Sequence, residues 1–421
     1  MREPFQDVLR IAAVQTSNVM HNKSLSRIDR MNQMPASRLW TRLVAAAALL
    51  LVGGVAVRPV TAQIGGAAVV FLQIEPDSRM AGMGNAGVAL ADNANAIFWN
   101  PAGLGFQKGT EVAITHSNWL PEFQTDMFYE YIVGKHHIPG WGTFGAHVTY
   151  LFLGEHEGRD EQNNPTGTFR SYDLSAGASF ATKLSNRLSV GTGVRLIYSN
   201  LAPGQSVGAQ ETKAGVSAGF DLAALYRSAP RKMGGMNTTF HAGFNLANMG
   251  PQIQYSDSPQ KDPIPTTLRF GYGLTFEFDE YNKLNFVNDF TKMLINVERD
   301  EAAGTTTADP FYEAIFSAWS PIQVRTNPLN EPEAEYETLG AIDQLVIGTG
   351  LEYWYRDLFA FRSGYFYENP YNGNRQFLTF GAGIRYNLIG VDFSYIYALE
   401  ENHPLSNTMR FSLLLDFGKG K

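Results

Sequence analysis

From about residue 111 onward, apolar and polar positions alternate with a period of two, and helical periodicity is almost absent. In Gln376–Leu388, Leu378, Phe380, Ala382, Ile384 and Tyr386 share one face, opposite Thr379, Gly381, Gly383 and Arg385. Val391, Phe393, Tyr395, Tyr397 and Leu399 share a face opposite Asp392 and Ser394, and Met409, Phe411, Leu413, Leu415 and Phe417 one opposite Arg410, Ser412 and Asp416. Strand side chains point alternately to opposite faces. A large apolar face backed by a Gly-rich or charged one is the pattern of a transmembrane barrel, with lipid outside and lumen inside. Tyr and Phe at strand ends fit interfacial girdles. Fourteen segments reach the ~9–11 residues a tilted spanning strand needs; they start near Glu111, Phe128, Gly142, Phe169, Arg187, Ala214, Thr238, Thr266, Lys283, Gln344, Leu358, Gln376, Val391 and Asn407. The pattern predicts an all-β fold, an antiparallel transmembrane β-barrel of about 14 strands over residues 110–421.

The connections agree with that count. Even-numbered ones are mostly short, as at Ser185-Asn186, Asp279–Asn282, Arg356-Asp357 and Asn387–Gly390. Odd-numbered ones are mostly long and polar, as at Glu155–Thr168, Asn200–Lys213, Gly250–Pro265 and Asn296–Asp343. Outer-membrane barrels have short periplasmic turns and long extracellular loops. The longest connection, residues 296–343, is acidic, with Glu331, Glu333, Glu335 and Glu337 at alternate positions. A loop of that length is a candidate functional segment. Its Phe311, Tyr312, Ile315, Phe316 and Trp319 are expected on one face of a short helix. That face would either dock a partner or close as a lid on the barrel's own rim.

The N-terminal side adds a leader. Residues 34–62 have the tripartite form of a signal peptide: Arg38 and Arg42, an apolar run Leu43–Val57, and Val60-Thr61-Ala62 before Gln63. The run is short for a spanning helix, which needs ~20 residues; an uncleaved anchor is the other reading. Residues 1–33 show no pattern and are taken as an extension upstream of Met34. Mean hydropathy, −0.18, does not flag a membrane protein, as expected where lumen residues offset lipid-facing ones. The absence of Cys removes disulfides and thiol chemistry. Residues 1–62 hold eight Lys/Arg and three Asp/Glu, so the remainder, with 25 basic and 37 acidic residues, is acidic. Nucleic-acid binding through a basic face is thereby excluded.

Residues 63–109 fit neither pattern. Phe71–Gly105 is dense in Gly, Ala and Asn and lies just before the first strand. Lumen positions are small at Gly191, Gly193, Ser217, Gly219, Gly381 and Gly383, which leaves room. We therefore expect this stretch to be a plug inside the barrel. Arg195, Asp221, Arg385, Asp392, Arg410 and Asp416 also point inward by alternation, with Arg385 facing Asp392 across the Asn387–Gly390 turn. Structural pairing in the lumen explains them more simply than a charge pathway. No enzyme signature is present, and no cofactor or metal is expected. His136-His137 lacks a third ligand nearby. His116, Ser117 and Asp126 make only a weak hydrolase grouping without geometry.

Certain stretches resemble a known family. They are Pro76, Asp77, Ser78 and Arg79 after Ile74-Glu75; Gly82, Gly84 and Gly87 within Gly82–Ala89; Asn95-Ala96; and Trp99 with Asn100, Pro101 and Ala102. Asn245–Pro251, Ile264–Thr266, Gly364–Phe366, Gly373–Arg375, Phe380–Gly383 and Thr408–Phe411 continue the likeness. Together they resemble the PorV family of type IX secretion outer-membrane proteins, within the wider FadL-like barrels. Ser78 departs from the family's more frequent Ala, a small-for-small change. The resemblance implies a fourteen-stranded barrel with an N-terminal hatch in the outer membrane of a Gram-negative bacterium, in contact with its lipid and lipopolysaccharide. It also implies a non-enzymatic role: binding the C-terminal sorting domain of cargo, shuttling it from the translocon barrel to an attachment complex with a sortase, and capping the translocon's side opening. The alternatives are a FadL-like transporter of hydrophobic small molecules and lipid A modification.

Overall fold

The computed structural model describes residues 60–61, 66–123, 125–159, 163–207, 210–257, 260–300, 305–326, 335–400 and 403–418. The expected extension 1–33, and the leader 34–62 apart from Val60–Thr61, lie outside them, as do Glu331 and Glu333.

Fourteen antiparallel strands close into a ring in sequence order. They are β1 (Thr110–Asn118), β2 (Phe128–Ile138), β3 (Gly142–Arg159), β4 (Pro165–Lys183), β5 (Leu188–Asn200), β6 (Gly215–Arg227), β7 (Met236–Met249), β8 (Thr267–Glu277), β9 (Asn282–Met293), β10 (Val346–Tyr355), β11 (Phe359–Tyr367), β12 (Gln376–Tyr386), β13 (Ile389–Ala398) and β14 (Met409–Asp416). The ring shuts where β14 pairs with β1, from Glu111↔Asp416 to Ser117↔Arg410. Residue alternation sets the two faces. On β14, Met409, Phe411 and Leu413 are exposed outward, while Arg410, Ser412 and Leu414 are buried in the lumen. The count and the pairing order follow the expectation from the sequence. The strands β3 and β4 are the exception in length, 18 and 19 residues, and run on beyond their neighbours at the long-loop end.

Even connections are mostly tight, the sixth being longer, with a short strand Arg231–Met233 of its own. At Arg356-Asp357 both residues have positive φ (57° and 50°), the backbone of a primed two-residue hairpin turn, whose twist matches that of the flanking strands.

The plug threads the lumen as short turns. Asp77 caps the helix α1 (Ser78–Ala81), its Oδ1 accepting from Met80 N at 2.7 Å. A second turn of helix, α2 (Ala96–Trp99), ends at Asn100. Asn100 Oδ1 then accepts from Ala102 N (3.1 Å), and Pro101 opens a 3-10 turn to Phe106. Pro at that position costs nothing because its missing N–H has no helical partner. The molecule's core is the interface of plug and wall. Met80, Met83, Ala86, Leu90, Phe98 and Trp99 cluster with Val287 of β9, and Phe71, Leu72, Ile97 and Leu104 with Tyr129, Tyr131 and Ile197. At the seam, the Ser412 hydroxyl of β14 meets Thr115 of β1 (2.7 Å) and Ser78 of the plug (2.9 Å).

Candidate functional site

Plug backbone and wall backbone touch through glycines. A Cβ on Gly82 would stand 3.1 Å from Gly381 Cα of β12. Gly84 has φ 65°, which glycine adopts without strain, and a Cβ there would stand 2.6 Å from Tyr365 O. A Cβ on Gly191 would meet Pro101 and Ala102, and Gly348, Gly350 and Gly364 abut Met83 and Gly84 in the same way. Gly191 and Gly381 thus receive the plug, as expected of small lumen residues. The other four do not. Gly193 lies beside Asp221, Gly219 beside Arg195 and Asn248, and Gly383 beside Asp392 and Arg362, while Ser217 Oγ donates to Pro251 O (2.7 Å). Their space is taken by ion pairs and by a loop.

The motif residues of the plug are fasteners. Arg79 gives Nε and Nη2 to Glu352 of β10 (2.7 Å each) and also pairs with Asp92. Glu352 accepts further from Arg362 (2.7 Å) and Asn285 (2.9 Å). Arg362 continues to Asp392 (2.8 Å), which Arg385 also holds (2.5 Å). The chain Asp92–Arg79–Glu352–Arg362–Asp392–Arg385 joins three cations to three anions. Its four inner members, Arg79, Glu352, Arg362 and Asp392, are buried, and charges so placed persist only when paired and hydrogen-bonded. Asp77 Oδ2 accepts from Trp99 Nε1 (2.9 Å). Gly87 and Val88 give their N–H groups to Asp289 of β9 (2.6 and 2.8 Å). Asn100 Nδ2 reaches Val88 O (2.9 Å) and Ala224 O (3.1 Å). Pro76 is buried beside the cap.

The remaining lumen charges form separate contacts. Arg195 pairs with Asp221, and Arg410 faces Glu75 of the plug at 3.6 Å. Asp416 lines a polar cleft at the short-turn end. Arg385 corrects the expected register: it stands opposite Gly390, and Asp392 opposite Gly383, so their ion pair is diagonal. Glu352, Arg362 and Asp289 were not singled out in the sequence. Alternation with Leu351, Tyr353 and Tyr355 marks Glu352 as inward; nothing in the sequence says that it meets Arg79.

At the long-loop end a cavity of about 1290 Å3 opens between plug and loops. Val69, Phe71, Leu151, Met293 and Phe377 give it apolar walls. Lys292, held by Gln344 (2.7 Å), and Arg375, bidentate to Glu368 (2.6 and 3.0 Å), stand at its polar side. His403 of the last loop also lines it; burial pulls its imidazole below the ordinary range.

The longest connection does contain a helix, α3 (Phe311–Ser317). Its aromatics lie on one side of the helix but not in one environment. The Phe311 ring packs edge-on against Phe220 of β6 (5.9 Å). Ala314 and Ala318 are buried. Ile315 is half-buried and accepts from Trp319 Nε1 (2.9 Å), whose ring lies under Lys292. Tyr312 and Phe316 point away, 58% and 76% exposed. The physical reason is the helix's seating by Phe311 and the two alanines, which turns positions 312 and 316 outward. One part of the aromatic set therefore packs on the barrel and the other part is exposed. Asp309 steadies the turn by accepting from Asn296 (2.9 Å) and Ser317 (2.5 Å).

His116 and Ser117 are adjacent strand residues on opposite faces. His116 is outside with Glu130 (2.7 Å), and Ser117 is buried, donating to Met409 O (3.1 Å). Asp126 is exposed in a loop. His136 and His137 bond separately to Thr110 (2.6 Å) and Thr143 (3.0 Å).

Comparison with known proteins gives one family. The family model described as type IX secretion system protein PorV matches residues 60–300, more than half of the chain. No curated protein matches. Among solved structures, the toluene transporter TbuX of Ralstonia pickettii is similar at 14% identity and a TM-score of 0.44, covering 82% of this chain and 99% of that one. The toluene transporter TodX of P. putida has 12% identity and a TM-score of 0.46, with 82% and 99% covered.

Proposed function

Because the chain belongs to the PorV family and is an outer-membrane component of the type IX secretion system, we propose that it binds the C-terminal sorting domain of secreted cargo at its extracellular end. It would carry that cargo from the translocon barrel to the surface attachment complex and its sortase. The observation that supports this reading is the contrast between the two halves of the molecule. The lumen is filled by a plug bonded to the wall through Arg79, Ser78 and Gly84. The long-loop end presents an extended arm and an exposed aromatic pair, Tyr312 and Phe316. A barrel filled in this way works at its rim, among lipid and lipopolysaccharide. The role is binding without catalysis. The test is recovery of a tagged copy from intact outer membranes: it should bring down a very large barrel protein and cargo that still bears its sorting domain. Recovery of neither sinks the proposal. Unchanged lipid A mass spectra in a deletion strain would set aside lipid A modification.

The cavity of about 1290 Å3 favours one second reading, uptake of hydrophobic small molecules. Apolar walls of this size suit an alkyl or aromatic ligand. That reading predicts hydrocarbon or fatty-acid uptake that is lost on deletion while secretion continues.

A further inference from the structure

The longest strands leave one sheet edge open. The pairing of β2 with β3 stops at Phe128↔Phe152, whereas β3 and β4 stay paired out to Arg159↔Pro165. Seven residues of β3, Leu153 to Arg159, therefore stand above the end of β2 with no strand beside them on that edge among the described residues. The other edge of this arm is covered. Asn200 Nδ2 bonds Arg170 O (3.2 Å), Ser171 Oγ bonds Leu201 O, and Thr166 Oγ1 bonds Gln205 (3.3 Å).

The hydrogen-bonding parity of the open edge follows from the ladder. Trp119 N gives to Met127 O and His137 N to Gly109 O, both at 3.0 Å. Antiparallel residues exchange bonds in alternate pairs, so the even residues of β2 face β3, and the even residues of β3 up to Phe152 face β2. A register shift between Phe152 and Gly154 inserts one extra residue in β3. Such a bulge reverses parity. Beyond it, Gly154, His156 and Gly158 bond β4, and Glu155, Glu157 and Arg159 turn their N–H and C=O groups outward. Among the described residues, no other backbone group bonds this stretch.

Natural proteins blunt such edges with Lys, Pro, other charges or a bulge. Leu153–Arg159 has no Lys or Pro, and the bulge after Phe152 lies at the base of the arm, below the open residues 155–159. Its two acids are answered within the arm, Glu155 by Arg170 (3.2 Å) and Glu157 by Arg159 (2.6 Å). The arm grows from the barrel wall, so its edge is held by a closed sheet and pays little ordering cost on binding.

We infer that the Leu153–Arg159 edge of β3 is a strand-addition site, which takes one extended strand of a β-rich partner into the barrel sheet. The partner is the sorting domain of cargo; in this the inference rests on the function proposed above. Backbone hydrogen bonds give the grip and admit varied side chains, which suits a surface that must receive many cargo sequences.

The variant Glu155→Pro/Glu157→Pro removes two outward N–H donors and leaves the bonds to β4, since edge strands tolerate proline where the N–H faces away from the ladder. The variant Glu155→Ala/Glu157→Ala removes the same side chains and keeps the backbone. Full-length tagged copies of each are recovered from outer membranes, with cargo and translocon barrel scored separately and barrel integrity read by heat-modifiable gel mobility. Expected are cargo recovery reduced by about tenfold or more in the proline variant, wild-type cargo recovery in the alanine variant, and unchanged translocon recovery in both. Undiminished cargo in a folded proline variant overturns the site and leaves the secretion reading standing. A proline variant that fails to fold is replaced by N-methylated competitor peptides against the wild-type chain. These should displace no cargo while the unmethylated strand peptide of the sorting domain does, and displacement by neither overturns the site. A dimer of this chain that dissociates in the proline variant also overturns it, by making a second copy the occupant. Wild-type chain that retains the translocon and never cargo overturns the site, and one that retains neither overturns both readings.

Discussion

Glu352 receives two arginines from distant parts of the chain, Arg79 of the plug and Arg362 of β11, each at 2.7 Å. Its carboxylate has no exposure. Removing one charge from such a group leaves a buried cation without an anion, which costs about 3–5 kcal/mol. Glu352→Gln should lower the urea midpoint of the refolded barrel accordingly, and an unchanged midpoint would refute the network's part in holding the plug. His403 offers a test at the cavity. Its Nδ1 accepts from Leu405 N (3.1 Å), which requires a neutral imidazole, and burial lowers its folded pKa below the ordinary 6.5. For a base with a lowered folded pKa, the unfolded loop binds the proton more readily. The loop's stability should be complete above pH 6.5 and decline as the pH falls toward the folded value. An NMR titration that places His403 at or above 6.5 would contradict this. Inward direction was legible for Arg195, Asp221, Asp392 and Arg410, because period two assigns a face to each residue. Partners were not legible, because they depend on register and on the path of the plug: Arg385 pairs with Asp392 diagonally, two residues away from the directly opposed position anticipated.

At the scale of elements, the strands were readable because lipid on one side and lumen on the other force one alternation throughout. Boundaries were less so. The β3–β4 arm continues past the membrane, where lipid no longer imposes the pattern and Glu155, His156 and Glu157 are all exposed. The plug's turns had no period to read; their order comes from caps at Asp77 and Asn100 and from glycine contacts with a wall far off in sequence. Helix α3 was foreseen, and which of its aromatics would be covered was not, since Phe311 found its place against Phe220 of β6. The two sides of that helix should behave differently. Tyr312→Ser/Phe316→Ser should leave proteolytic resistance of the loop unchanged while reducing recovery of the translocon or cargo. Phe311→Ser should cost about 3 kcal/mol or less, the scale of a large apolar side chain removed from a partly buried site, and speed cleavage of the loop. Equal protease sensitivity in the two variants would refute the division.

The whole molecule is a closed sheet built round a core that its own N-terminal segment supplies. Ser412 on the last strand touches both the first strand, at Thr115, and the plug, at Ser78, across sequence separations of 297 and 334 residues. Bringing the ends of so long a loop together is the largest entropic step of folding, although its cost rises only with the logarithm of length. One hydroxyl that finds two partners at that point, with Arg410 meeting Glu75 beside it, concentrates the enthalpic return at the moment of closure. Ring closure is therefore coupled to occupation of the interior. A chain whose plug is displaced keeps the β1–β14 ladder and the Thr115–Ser412 bond but loses the contacts to Ser78 and Glu75, so an open sheet, with β1 and β14 as free edges, becomes more accessible and is the species that folding catalysts of the outer membrane would have to hold.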